Sequence, residues 1–200
     1  MKNKSGFTLV EIVAVIFILT LIGIGLASFS FWGYRLWHIT QDQIHAQDEA
    51  RAAFKNIVGE IREMQISDNG SYALDTVQPN TIIFYANVDS DTKREKVKYE
   101  LVDGTLIRWY EKSDASVPPA YPAFTEANKI IVAQNILNTD IFQYYDDTFN
   151  GSTPPLPQPV QLNDVRLVKI HLSIDYDPER TPAPLELETN IALRNLKDNL

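Results

Sequence analysis

The sequence predicts an α+β chain: one long N-terminal helix, membrane-spanning in its first half and amphipathic in its second, packed on an antiparallel β-sheet domain. Three observations carry that prediction. No residue from Ile12 to Tyr34 is charged, a run long enough for a helix to cross the ~30 Å hydrocarbon layer of a bilayer. No proline occurs before Pro79, and beyond the run apolar residues recur at three- and four-residue steps. Toward the C-terminal end, two stretches alternate apolar and polar residues, the period of a strand with one buried face.

Composition narrows the function before any motif is considered. The chain has 200 residues, enough for one ordinary domain plus an extra element. Its formal net charge is −8, which argues against a protein that coats nucleic acid, so no nucleic-acid partner is expected. There is no cysteine, which excludes disulfides, thiolate metal sites and cysteine nucleophiles.

Lys2 and Lys4 precede the apolar run, and the first cation after it is Arg35, followed by the acids Asp42, Asp48 and Glu49. By the positive-inside tendency the N terminus stays in the cytoplasm and the remainder lies outside. A secretory signal peptide is the competing explanation, with Ala27-Ser28 as its cleavage site. Such signals have an apolar stretch of roughly 7 to 15 residues, and this run is longer. Gly23 and Gly25 within it predict a locally weak helix segment.

Past the run, Ala46, Ala50, Ala53, Ile57, Ile61 and Met64 form an apolar stripe that Phe54 and Val58 widen. A helix from Phe7 to about Gln65 is roughly 90 Å long at 1.5 Å per residue, and "SDNGS", Ser67 to Ser71, supplies its stop. The rest is β structure. "TIIFYANV" predicts a strand, and "YELVDGTLIRWY" a hairpin with Asp103-Gly104 in a tight turn. Val168, Ile170, Leu172, Ile174 and Tyr176 mark one alternating strand; Leu185, Leu187, Thr189, Ile191 and Leu193 mark another, joined to the first by "DPERTPAP". "SVPPAYPAF" and "GSTPPLPQP" are expected as surface loops.

"GFTLVE", Gly6 to Glu11, with a short basic leader before it and a long apolar helix after it, resembles the cleavage and methylation motif of type IV pilins and type II secretion pseudopilins. The resemblance covers Met1 to about Ser30. It implies that prepilin peptidase cuts between Gly6 and Phe7 and that the new amino group of Phe7 is N-methylated. It also implies that Glu11 is the assembly glutamate. A charge held in hydrocarbon is expensive unless paired, and a freed amino group, largely cationic at neutral pH, is a suitable partner on a neighbouring subunit. An acid in the first turn of a helix also suits the helix dipole, so a purely local role for Glu11 stays open. Gly6, without a side chain, leaves the scissile backbone open to a protease.

The resemblance divides the chain into a cytoplasmic leader (1–6), a transmembrane helix half (7–34), an amphipathic helix half (35–66) and an extracytoplasmic β-rich pilin-like domain (67–200). "VKYELVDGTLIRWY" and "LELETNIALRNL" further resemble segments of J-type minor pseudopilins and W-type minor pilins, which implies a minor subunit near a filament tip. Some tip pseudopilins lack the acid that Glu11 supplies, so the extreme tip is not favoured.

Other constellations point to no chemistry. His38, Asp42, His45 and Glu49 share a helix face at four-, three- and four-residue steps, yet a polar stripe there is expected to be solvated. "NVDSDTKRE" and "YYDDTFNGS" are oxygen-rich and could take calcium, which the resemblance associates with some pseudopilins, but neither has EF-hand spacing and both are expected to be solvated acidic loops. Lys93, Arg94, Lys96 and Lys98 fit the exposed side of a strand, and His171 an outward strand face. The two "NGS" triplets are turns as much as glycosylation acceptors. No metal, cofactor or catalytic residue is assigned.

The expected function is that of a non-enzymatic structural subunit of a type IV pilus, competence or type II secretion filament. Its expected partners are prepilin peptidase, other (pseudo)pilin subunits, the inner-membrane assembly platform and the bilayer. A membrane-anchored adhesion or binding module with a β-rich extracellular domain is the alternative.

Overall fold

The computed structural model describes residues 8–89, 91–175 and 184–193, and at helix positions 35, 36, 38–46 and 49 the backbone alone. The chain forms two compact units, Met1–His45 and Ala46–Leu200. Helix α1, Leu9–Arg62, supplies the described part of the first unit and the opening turns of the second.

In the first unit every described side chain from Thr8 to Tyr34 is exposed, although most are large and apolar. Leu9–Tyr34 is long and apolar enough to cross a membrane, and none of it is buried. The helix stays α-helical through Gly23 and Gly25, and a methyl group added at either would touch nothing within 4 Å. The weak segment predicted from these glycines is therefore regular helix in the isolated chain.

The second unit shows why the amphipathic stripe exists. Ala50, Ala53, Ile57, Val58, Ile61 and Met64 are all buried, as the three- and four-residue spacing predicts. Each aliphatic of Ile or Val size removed from water contributes about 1.5–3 kcal/mol, so this face holds the helix to its domain. The helix stops at Arg62, slightly earlier than expected. There the backbone changes partners: Gln65 N–H donates to the Tyr85 carbonyl (2.9 Å) and Met64 forms a bridge with Ala86. Gly70, at φ +84°, then turns the chain through "SDNGS".

Among the described residues eight strands follow: β1 Leu74–Val77, β2 Thr81–Ala86, β3 Glu95–Val102, β4 Thr105–Lys112, β5 Lys129–Ala133, β6 Phe142–Tyr145, β7 Leu167–Ile174 and β8 Leu185–Ala192. They divide into two antiparallel sheets, β1-β2-β3-β4-β5 and β6-β7-β8. The predicted hairpin is β3–β4, with Val102 opposite Thr105 and both turn residues at positive φ, Asp103 at 47° and Gly104 at 70°. That pair of angles is what a two-residue turn between right-twisted strands requires.

Alternation is equally direct in the second sheet. Val168, Ile170, Leu172 and Ile174 face inward on β7, where Leu172 pairs with Leu187 and Val168 with Ile191. Both sheets and the helix stripe share one core, whose largest fully buried side chains are Tyr99, Tyr144, Phe84 and Phe142. Tyr144 ties the sheets together, its hydroxyl donating to the Gln78 carbonyl at 2.9 Å.

The proline-rich segments lie in the β4–β5 and β6–β7 connections, outside any strand. The second does more than connect, since its Leu156, with Val160 just beyond it, packs against the core. Of the predicted loop "DPERTPAP", only Pro184 lies within the described residues.

Candidate assembly site

Gly6 and Phe7 lie outside the described residues; Glu11 lies within them. Thr8 precedes the first residue of α1 and Glu11 is in its first turn. The two side chains cap the helix reciprocally. The Glu11 carboxylate accepts the Thr8 backbone N–H (2.8 Å) and the Thr8 hydroxyl (2.9 Å), and the Glu11 N–H donates to Thr8 Oγ1 (3.3 Å). This is a capping box, which satisfies two of the donors that a helix start leaves without partners. The Thr-x-x-Glu spacing that announces it is legible in "TLVE". The local role left open for Glu11 is thus realised within the single chain.

Other polar groups along the apolar helix bond inward. The Thr20 hydroxyl donates to the Ile16 carbonyl (2.7 Å) and the Ser30 hydroxyl to the Leu26 carbonyl (2.9 Å). A helix surface meant for lipid or for other apolar helices needs this, because hydrocarbon offers no alternative partner.

In the second unit, the helix meets the first sheet at an ion pair. Arg108 on β4 forks onto Glu60 of α1, with Nη2 2.9 Å from Oε1 and Nε donating to Oε2 at 3.0 Å. The Tyr99 hydroxyl donates to the same Oε2 at 2.8 Å. Burial disfavours the Arg108 cation, but the hydrogen bonds and charge of Glu60 outweigh it, and the guanidinium is held charged more firmly than usual. Burial first, and then the Glu60 charge, push the Tyr99 phenol well above its ordinary range. An open groove of about 480 Å³ lies beside the pair, floored by Ala53 and Asn56 and walled by Ile130 and Ile131 of the edge strand β5.

A second node closes the helix end. Asp68 accepts the Arg94 N–H (3.1 Å), the Ser113 hydroxyl (2.7 Å) and the Arg94 guanidinium (3.0 Å). Partial burial raises the Asp68 carboxyl, yet these donors and the Arg94 charge prevail and hold it below the usual carboxylate range.

The basic run is occupied by its own chain. Lys96 pairs with Asp75 and Lys98 with Glu100, and Lys98 Nζ lies 3.9 Å from the centre of the Trp109 ring. His171 Nε2 lies 2.7 Å from Glu186 Oε2, while the Ser173 hydroxyl donates to Glu186 Oε1 at 2.6 Å. The carboxylate stands between hydroxyl and imidazole, whereas in a Ser-His-Asp triad the imidazole stands between hydroxyl and carboxylate. Both "NGS" triplets are turns: the Asn69 side-chain oxygen accepts the Ser71 N–H (3.1 Å) and the Asn150 oxygen accepts the Ser152 N–H (3.0 Å). At His38, Asp42, His45 and Glu49 only the helical backbone is described, so the shared face of these four side chains lies outside the described residues.

The β2–β3 turn gathers Asp89, Asp91 and Glu95, with one carboxylate oxygen from each inside 4.8 Å of the others. Lys112 of β4 pairs with both Asp89 and Asp91. Glu95 is buried, and burial raises its carboxyl above the ordinary range against the Val88 N–H it accepts; the nearby Asp89 and Asp91 charges add to the rise.

Comparison with known proteins bears on the N terminus. Residues 1–27 match the family described as "Prokaryotic N-terminal methylation motif". Among solved structures, the chain is similar to one from the GspK-GspI-GspJ complex of the enterotoxigenic Escherichia coli Type 2 Secretion System. That match has 17% identity and a TM-score of 0.42, and covers 74% of this chain and 97% of the other. No curated protein sequence matches the chain. The N-terminal segment of the chain is thus a prokaryotic methylation motif that leads into an exposed apolar helix, and two antiparallel sheets follow it.

Proposed function

We propose that this protein is a minor, non-enzymatic subunit of a type IV pilus, competence or type II secretion filament, and that it assembles through its N-terminal helix. The observation that carries this is the junction of the methylation motif over residues 1–27 with a long apolar helix, Leu9–Tyr34, none of which is buried. A surface of that kind needs lipid before assembly and other apolar helices after it.

Residues 1–6 are a cytoplasmic leader, residues 7–34 span the inner membrane, residues 35–66 carry the amphipathic half of the helix, and residues 67–200 form the extracytoplasmic domain. Prepilin peptidase hydrolyses the Gly6–Phe7 amide, and the amine so formed on Phe7 is methylated. In the filament, Glu11 exchanges part of its bonding to Thr8 for the Phe7 ammonium of a neighbouring subunit. That exchange supplies a cation where the capping box supplies only neutral donors. The assembly platform of the inner membrane and other (pseudo)pilins are the partners, and the mature protein resides in a surface or periplasmic filament.

Mass spectrometry of the N terminus tests the proposal. The expected product begins at methylated Phe7, without Lys2 and Lys4, and depends on prepilin peptidase. An intact Met1, or a terminus after Ser28, overturns it.

A further inference from the structure

Large aromatic side chains crowd one level of α1. Between Ile12 and Ser28 there is one aromatic, Phe17; among the next nine residues there are five, Phe29, Phe31, Trp32, Tyr34 and Trp37. All five are exposed, by 65% to 78%. That much apolar surface at one height of a helix calls for a covering.

Their arrangement argues against a single neighbouring helix. At ~100° per residue the five project around the whole circumference, with no gap wider than ~100°. A face built for another helix is one-sided. The buried stripe of Ala50, Ala53, Ile57, Val58 and Ile61 on the same helix falls within an arc of ~140°. A ring of aromatics suits a layer that surrounds the helix, and a bilayer is such a layer.

The chemistry also changes along the axis. Phe29 and Phe31, which are wholly apolar, come first. Trp32, Tyr34 and Trp37 follow, each an apolar ring that carries one N–H or O–H, over a rise of ~7.5 Å. The polar zone on each side of a ~30 Å hydrocarbon core is roughly 5–8 Å thick, and tryptophan and tyrosine concentrate there. Glu11 precedes Trp32 by 21 residues, or ~32 Å of helix, about one hydrocarbon thickness.

We propose that Phe29, Phe31, Trp32, Tyr34 and Trp37 form an aromatic collar that seats α1 in the interfacial zone of a phospholipid bilayer. The indole N–H groups and the phenol lie among the headgroups, and the two phenylalanines lie on the hydrocarbon side. The collar continues the apolar surface of Leu9–Tyr34 and rests on the reading of that segment as membrane-spanning, to which it adds the depth at which the helix stops. Seated in this way, α1 carries the Glu11 carboxylate at the opposite boundary, where water reaches it and a charge costs less than at mid-bilayer.

Tryptophan fluorescence tests the collar in the full-length protein, reconstituted in vesicles of phosphatidylethanolamine and phosphatidylglycerol. The vesicles carry a nitroxide quencher either at the headgroup level or near the acyl-chain end. W37F leaves Trp32 as the reporter in α1 and W32F leaves Trp37; each keeps a ring at the altered position. The emission of Trp109 in the second unit, measured in W32F/W37F, is subtracted, and far-UV circular dichroism checks that each variant folds. Both tryptophans should be quenched about twofold or more better by the headgroup label than by the chain-end label, with the larger ratio for Trp37, which lies farther along the axis. Three results overturn the collar: stronger quenching of either tryptophan by the chain-end label, the reverse order of the two ratios, or absence of lipid quenching at one or both. Quenching of one alone is the sign of a one-sided contact with a second copy. Alkaline carbonate extraction of the same vesicles separates the collar from the reading beneath it. Protein that stays in the membrane with misplaced tryptophans removes the collar and leaves the spanning helix, whereas protein released by carbonate removes both.

Discussion

The carboxylate of Glu11 is already bonded within its own chain, to the backbone N–H of Thr8 at 2.8 Å and to its hydroxyl at 2.9 Å. An acid that caps its own helix is pre-aimed, because the capping box fixes its rotamer at the first turn. Under the proposed function, the same oxygens later meet a neighbour's amine.

Two variants separate these roles. E11L should be cleaved at Gly6–Phe7 normally yet fail to appear in the sheared filament fraction. T8A should also be cleaved and should assemble at reduced yield, since Glu11 keeps its charge but loses a hydroxyl that orients it. Quantitative immunoblotting of cell-bound and sheared fractions, with mass spectrometry of the mature terminus, checks both. Wild-type yield of filaments from E11L would refute the docking role.

The fork between Arg108 and Glu60 joins the helix to the first sheet, and neither side chain is more than 20% exposed. Removing one partner strands a partly buried charge, and E60A or R108A should each destabilise the soluble part of the fold by about 2–4 kcal/mol. The double variant should lose less than the sum of the two, with coupling of about 1–2 kcal/mol. Denaturant unfolding of the four proteins in detergent measures this, and additive losses would show that the pair does not act as a unit.

Asp68 gives a pH dependence of definite sign. Its folded carboxyl titrates below the unfolded value near 3.8, because the Arg94 and Ser113 donors overcome its burial. The stability it contributes is therefore complete above that unfolded value and lost as pH falls through the lower folded one. Wild type should exceed D68N in unfolding temperature at neutral pH, and the gap should close below about pH 4. A gap that is constant with pH would contradict the assignment.

Among the described glycines, Gly104 is the one where a side chain would meet both strain and a neighbour. Its φ is +70°, and an added Cβ would lie 3.1 Å from the Ile136 carbonyl oxygen. G104A should cost about 1–3 kcal/mol, whereas D103N, at a φ that asparagine tolerates, should be near neutral. Thermal unfolding of both variants provides the comparison.

Much of this architecture is written locally. The uncharged run to Tyr34, the stripe from Ala50 to Met64, the Asp103-Gly104 turn and the alternation of Val168 to Ile174 each report the surroundings of single residues, and each lies where its period predicts. Short strands are another matter. β1 and β6 have four residues each, too few for a period of two to stand out, and β5 is short and leaves Ile130 and Ile131 exposed. Likewise the sequence exposed an oxygen-rich "NVDSDTKRE", but not that Glu95 would be buried or that Lys112 would cross from β4 to meet Asp89 and Asp91.

By itself, then, the sequence determined the helix, its lipid-compatible surface and the strands whose two faces differ in polarity. Only the tertiary structure decided that the strands divide into two sheets over one core, and that Glu60 meets Arg108 and Asp68 meets Arg94. The reason is physical. Periodicity records which side of an element faces away from water, a property each residue carries locally. Which distant charge fills a buried acceptor depends on how the loops close and how the core packs, and that is settled only when the whole domain has folded.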